Sequence, residues 1–211
     1  RLAVAKAREA KFVADQALVM ARTQKRHGPP PGVAGDVEQT IVEQLAKAVA
    51  DALAAMPVVN ALVDGGNVVY HDQVNLGIAV ALDWGLIVPV IRQAERLSVD
   101  EIDAAIIDLS TRARSKRLTP EEVRGGTFTI TNPGSFGSVF GMPIINQPQS
   151  AILCVGAIEK RPVVVEDAVV ARLRAFLTLG FDHRLIDGAA ADRFLARVVE
   201  TLEVGGRPAS P

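Results

Sequence analysis

Residues 60–94, "NALVDGGNVVYHDQVNLGIAVALDWGLIVPVIRQA", hold Val- and Ile-rich runs broken by Asp-Gly-Gly at 64–66 and Asp-Trp-Gly at 83–85. Runs of β-branched residues between such breaks read as successive strands joined by tight turns. A parallel pair needs a crossover of a dozen or more residues, which these turns cannot supply. The sheet is therefore mixed or antiparallel, and the expected class is α+β.

Helical patterns flank this block. In "VEQTIVEQLAKAVADALAAMP" (37–57), Ile41, Leu45, Val49 and Leu53 recur at helical spacing and Pro57 closes the run, which predicts a core-facing helix. In "SVDEIDAAIIDLSTRARSKR" (98–117), Ser98 with Glu101 three residues on is a capping box. After "LTPEEVRGG" come three expected strands, "TFTITNPGSFGS" (127–138), "QSAILCVGAIEKRPVVV" (149–165) and "ARLRAFLTLGFDH" (171–183), then a last helix over about 188–202. At the other end, residues 1–26 fit no single periodic template, and "HGPPPGVAGD" (27–36) reads as a Pro-rich loop.

Composition narrows the function classes. With 211 residues, 49% of them hydrophobic, the chain can bury a core as one domain. The formal net charge of -1, from 23 basic and 24 acidic residues, lacks the positive field that nucleic-acid binding needs. The single cysteine, Cys154, excludes an internal disulfide framework and a thiolate zinc site, so a reducing compartment is expected and no metal is predicted. No apolar run reaches the roughly 18 residues of a membrane-spanning helix, so no membrane partner is predicted. The abrupt start at Arg1, without an initiator methionine, reads as an excised domain.

Four positions could carry chemistry. His183, in "FDHRLIDG", has an imidazole able to take and return a proton near neutral pH, although a lone histidine at a strand end more often makes a structural hydrogen bond. Asp182 and Asp187 could each orient it; either could instead pair with Arg184, and Asp187 ahead of Gly188 could cap the last helix. Thr127, Thr129 and Thr131 alternate along one strand, as on a half-exposed strand, yet Thr131 stands where the strand breaks into Asn132-Pro133-Gly134 and could aim a hydroxyl into a cavity as an oxyanion donor. Cys154 lies in an apolar run and reads as a core residue. His27 and His71 have no organised partners in sequence, and Trp84 could line a ligand channel or shield a hairpin.

Taken together, "FDHRLIDGAAADRFL", "GGTFTITNPGSFGSVFGMPIINQPQSAILCVGAI", "NLGIAVALDWGLIVPVIR" and "LTPEEVRGGTF" resemble the catalytic domain of dihydrolipoamide acyltransferases, the E2 cores of 2-oxo acid dehydrogenase complexes. The resemblance covers about residues 40–203 in consistent order, and D-H-R-x-x-D-G is its most specific element. It implies a chloramphenicol acetyltransferase-like mixed sheet flanked by helices, with residues 40–211 as the catalytic core and 1–39 as a divergent N-terminal segment. It also implies a homotrimer with active sites at subunit interfaces, assembling into a hollow core (24-mer or 60-mer) that works with a lipoyl domain and the E1 and E3 components.

By the same resemblance His183 is the general base, Thr131 stabilises the oxyanion, and Asp187 fixes the histidine region through an arginine near the domain start, matched to Arg1. "RTQKRHGPPPGVAGD" (22–36) replaces the strand-containing stretch of the family pattern, so the coenzyme A contacts and part of the trimer contact implied for that stretch are left unassigned. Coenzyme A is the implied substrate, with the lipoyl group carried on a separate domain. The acyl group leans toward succinyl, with acetyl and branched-chain forms open; the location is cytoplasmic for a bacterial protein or the mitochondrial matrix for a eukaryotic one. A free-standing O-acetyltransferase and a non-catalytic scaffold of the same fold are the alternatives.

Overall fold

The computed structural model describes residues 35–205. Arg1, His27 and the segment through residue 34 lie outside the described residues, and the division expected after residue 39 falls within the first helix, α1 (Gly35–Ala55). Leu45, Val49 and Leu53 are buried along one face of α1, as their spacing predicts. The second helix, α2 (Val99–Arg114), begins with the expected reciprocal cap: Ser98 Oγ accepts the Glu101 N–H at 3.2 Å and the Glu101 carboxylate accepts the Ser98 N–H at 2.8 Å. The third, α3, spans Gly188–Gly205.

Eleven strands are described: β1 (Ala61–Asp64), β2 (Asn67–Tyr70), β3 (Leu76–Ile78), β4 (Val80–Leu82), β5 (Gly85–Ile87), β6 (Val90–Ile91), β7 (Phe128–Thr131), β8 (Ala151–Val155), β9 (Glu159–Val165), β10 (Ala168–Arg174) and β11 (Leu177–Phe181). Five of them form the central sheet in the order β11-β8-β7-β3-β6, while β1–β2, β4–β5 and β9–β10 are separate antiparallel hairpins. The β3–β7 and β7–β8 pairs are parallel, and β6 and β11 close the two edges antiparallel. The sheet is mixed. All three helices contribute to one buried cluster with it, in which the Phe128 and Phe194 rings lie 5.7 Å apart.

Two sequence expectations change. The stretches 149–165 and 171–183 are each two strands, because the chain leaves the sheet at Gly156 and re-enters after Phe176. There the Gly156 N–H donates to the Phe176 carbonyl at 2.8 Å, and the loop carrying Val139 passes so close that a Cβ on Gly156 would run into the Val139 carbonyl. The break is set by that crossing chain, and the sequence marks it only by Gly156 within the otherwise apolar run "AILCVGAI". Strand β7, moreover, is not half-exposed: Phe128 and Ile130 enter the apolar cluster, while Thr127 and Thr129 are equally buried. Thr129 donates to the Gln149 side-chain carbonyl at 2.6 Å, and the Thr127 hydroxyl accepts the Asn75 N–H at 3.0 Å, so the polar row is buried with its hydrogen bonds made.

Candidate active site

His183 sits in a turn fixed at both ends. As β11 leaves the sheet, the Asp182 N–H donates to the Ser150 carbonyl at 2.8 Å, and the Asp182 carbonyl then accepts the N–H groups of Leu185 and Ile186. The fully buried Ile186 side chain anchors the turn from below. At the far end, Asp187 Oδ1 accepts the Ala190 N–H at 2.7 Å, capping α3. Between these anchors His183 is exposed, its ring centroid 5.4 Å from that of Phe181. The imidazole therefore stands on a rigid turn and faces outward.

The two aspartates beside it divide their work. Asp182 takes both the backbone N–H and the guanidinium of Arg184, at 3.0 and 2.9 Å, and this pairing holds its carboxyl below the usual carboxylate range. Asp187 is engaged by the helix. Neither aspartate hydrogen-bonds His183 among the described residues, so a single chain supplies the histidine without a carboxylate to orient it. Asparagine caps a helix about as well as aspartate, so Asp187→Asn should leave thermal unfolding unchanged, while Asp187→Ala should cost about 0.5–2 kcal/mol. Calorimetry on the two variants checks this: equal destabilisation by both would mean that the carboxylate charge, and not the cap, is what matters.

Thr131 is half-buried at the end of β7, where the chain turns through Asn132 into the short helical turn Pro133–Phe136. Gly134 is pressed against the Gly156 and Ala157 backbone, closer than any side chain would allow, which fixes this corner against the end of β8. The Thr131 hydroxyl makes no hydrogen bond among the described residues and is free to meet a ligand. Its neighbour across the parallel pair, Cys154, is buried, and burial pushes its thiol pKa up, consistent with a core residue.

The sheet register keeps Thr131 and His183 apart within one chain. Thr131 lies opposite Cys154, which lies opposite Thr178, whereas Phe181, two residues before His183, lies opposite Ala151. Three residues along β8 and two strand spacings across the sheet amount to about 10 Å in each direction, before the chain from Phe181 to His183 runs further from Thr131. His183 and Thr131 thus occupy opposite ends of the sheet.

The other residues singled out by sequence lie elsewhere. His71 follows β2, donates its N–H to the Asn60 carbonyl at 3.3 Å, and is held below its ordinary pKa chiefly by burial, against an opposing effect of Asp72. Trp84 is at the turn of the β4–β5 hairpin, with the Lys116 ammonium 5.6 Å from its ring centre. Gln149, which fixes Thr129 beneath the β7 corner, had no signal in the sequence beyond following Pro148. Among the described residues no group of three or more His, Cys, Asp or Glu side chains is placed to hold a metal, and no helix is long and apolar enough to cross a membrane.

Comparison with known proteins agrees with this geometry. The family described as 2-oxoacid dehydrogenases acyltransferase (catalytic domain) matches residues 13–208. The dihydrolipoyllysine-residue succinyltransferase component of the 2-oxoglutarate dehydrogenase complex from Bartonella vinsonii is 44% identical over 180 residues, covering 85% of this chain and 42% of the relative. Its counterpart from Haemophilus influenzae is 48% identical over 157 residues, covering 74% and 38%. The chain thus spans about two fifths of the length of the curated relatives it matches.

Among solved structures, a probable dihydrolipoamide acetyltransferase from Listeria monocytogenes superposes with a TM-score of 0.77 at 39% identity, over 81% of this chain and 73% of that one. The Azotobacter vinelandii dihydrolipoamide acetyltransferase, studied for the roles of a serine, a histidine and an asparagine in its catalytic mechanism, superposes with a TM-score of 0.75 at 32% identity, over 92% and 76%. The sheet order, the capped turn that presents His183 and the match along nearly the whole chain lead to one conclusion: this chain belongs to the 2-oxoacid dehydrogenase acyltransferase family, as its catalytic domain.

Proposed function

We propose that the chain transfers an acyl group, succinyl by preference, between a dihydrolipoyl arm on a separate domain and coenzyme A, both as substrates, within the core of a 2-oxo acid dehydrogenase complex. One observation carries the assignment of residues. The serine, histidine and asparagine named for the Azotobacter enzyme are separated by 52 and 4 residues, and the same intervals separate Thr131, His183 and Asp187 here. A hydroxyl stands for a hydroxyl, the histidine is kept, and one good helix-capping residue replaces another.

His183 takes the proton from the coenzyme A thiol, whose pKa, if like that of a cysteine, is roughly 8.5, so a modest push yields a strong nucleophile. The thiolate attacks the acyl carbonyl of the S-acyl dihydrolipoyl arm, and the carbonyl electrons move to oxygen. The Thr131 hydroxyl donates to that oxyanion. When the intermediate collapses, the carbon–sulfur bond to the arm breaks, and His183 returns its proton to the departing dihydrolipoyl thiolate. Asp187 acts as a positioning residue that holds the turn beneath His183.

Because one chain keeps Thr131 and His183 at opposite ends of its sheet, the working site forms between two copies. A homotrimer, built up further into a hollow core of 24 or 60 copies, supplies such pairs at each interface. The TM-score of 0.74, at 34% identity, with the cubic core of a pyruvate dehydrogenase complex supports this assembly. So does the loop over 137–149, which runs beside Cys154 through the Gly141 N–H and exposes Phe140 (65%) and Met142 (84%), apolar surface that a second copy would cover. The lipoyl domain and the E1 and E3 components are the partners, and the relatives' bacterial and mitochondrial sources support a cytoplasmic or matrix location.

Thioester exchange with succinyl-, acetyl- and isobutyryl-coenzyme A and dihydrolipoamide tests the reading. Succinyl transfer should be fastest. Faster acetyl or isobutyryl transfer would overturn the choice of acyl group, and absence of all three would overturn the activity.

A further inference from the structure

Gln149 and Ser150 lie where the chain enters β8, and the reaction above gives them no part. Gln149 is 8% exposed, and Thr129, whose hydroxyl donates to the Gln149 side-chain carbonyl at 2.6 Å, is 1% exposed. Losing either partner would leave the other's polar atom buried without its hydrogen bond. Two glycines make room for the pair: a Cβ on Gly77 would stand 3.1 Å from the Thr129 hydroxyl, and one on Gly126 would stand 3.0 Å from the Gln149 amide nitrogen.

The next residue reaches the histidine turn. Ser150 is fully buried, and its carbonyl accepts the Asp182 N–H at 2.8 Å. The Asp182 carbonyl in turn accepts the N–H groups of Leu185 and Ile186, at 3.0 and 2.9 Å, closing the turn that presents His183. The turn therefore takes its place against the sheet from the Ser150 carbonyl. Only the Ser150 backbone lies between that carbonyl and the Gln149 peptide, so whatever pins Gln149 also limits where the carbonyl points.

The loop ahead of Gln149 gives it little else to rest on. The Gln149 N–H donates to the Asn146 carbonyl at 3.1 Å, within a loop whose Met142 and Ile144 side chains are exposed. The side-chain bond to Thr129 is thus what anchors this corner in the core. Thr129 stands two residues before Thr131 on the same side of β7, so the bond joins the strand that carries Thr131 to the turn that carries His183.

We propose that Gln149 is a positioning residue for acyl transfer: its bond to Thr129 fixes the corner from which the Ser150 carbonyl holds the His183 turn. The proposal rests on the acyl-transfer reading, in which His183 moves the proton. Gln149 touches no reacting atom and acts through Ser150 and Asp182. A single chain gives His183 no carboxylate to orient it, so its placement comes from the backbone turn, and a shift of about 1 Å in a reacting group can cost about 10²-fold in rate.

Gln149→Met keeps the length of the side chain and removes the acceptor; Thr129→Val removes the donor. Each alone should lower the unfolding midpoint, and the double variant, apolar on both sides, should regain most of it. Activity should not follow: in the double variant kcat should stay about tenfold or more below the parent, with KM for both substrates changed less than about twofold. Gln149→Glu still offers Thr129 an acceptor oxygen, whether the carboxyl is ionised or neutral, and should retain most of kcat. Hydrogen exchange over residues 178–186 reads the turn without turnover, and the Asp182 amide should exchange faster in the double variant than in the parent.

A double variant whose kcat recovers with its stability, or whose Asp182 amide stays as protected as the parent's, would overturn the proposal. So would a Gln149→Glu protein as slow as Gln149→Met, a comparison that needs no recovery of stability. If the parent protein transfers no acyl group, the functional reading fails by itself, and the exchange measurement still decides whether Gln149 holds the His183 turn.

Discussion

His183→Ala should lower kcat by about 10²- to 10⁴-fold while leaving the assembly intact, the range that general acid–base catalysis alone supplies. The ring is exposed and lies beside that of Phe181, so its removal takes little from the packing. The turn itself is held by Ser150, Ile186 and the Asp187 cap, none of which depends on the imidazole. The loss should therefore fall on proton transfer at both ends of the reaction. Steady-state kinetics with sedimentation of the same preparation tests it, and near-normal turnover would remove His183 from the mechanism.

Thr131→Ala should lower kcat by about 10²- to 10³-fold with a much smaller change in KM, because an oxyanion donor acts when charge develops and hardly before. Thr131→Ser should retain most activity, since the hydroxyl is the part that donates. The corner that carries it is fixed by Gly134 against the end of β8 and does not rely on the Thr131 side chain. A variant in which only KM rises would make Thr131 a substrate contact instead.

Features set by local chemistry were legible in the sequence. The apolar face of α1, the Ser98–Glu101 capping box and the antiparallel hairpins of residues 61–87 each follow from residues close together in the chain. The parallel pairing of β3, β7 and β8 was not legible, because it joins segments tens of residues apart whose apolar runs look alike. The threonines of β7 misled for the same reason: the groups that satisfy them, Gln149 and Asn75, come from distant parts of the chain, so a buried polar row looks like an exposed one. At the site, the histidine turn could be read directly. Which aspartate pairs with Arg184 and which caps α3 could not, since spacing allows either, and the separation of Thr131 from His183 exists only in the sheet register.

That separation makes mixing of inactive subunits the most direct test of a site shared between copies. Thr131→Ala chains keep His183, and His183→Ala chains keep Thr131. If each site takes its histidine from one copy and its threonine from another, random assembly of the two variants in equal amounts should restore about a quarter of the sites to the full set, and about a quarter of parental kcat. If instead each chain carried both groups of its own site, no mixture could contain an intact one, and activity would stay at the level of the two variants measured apart.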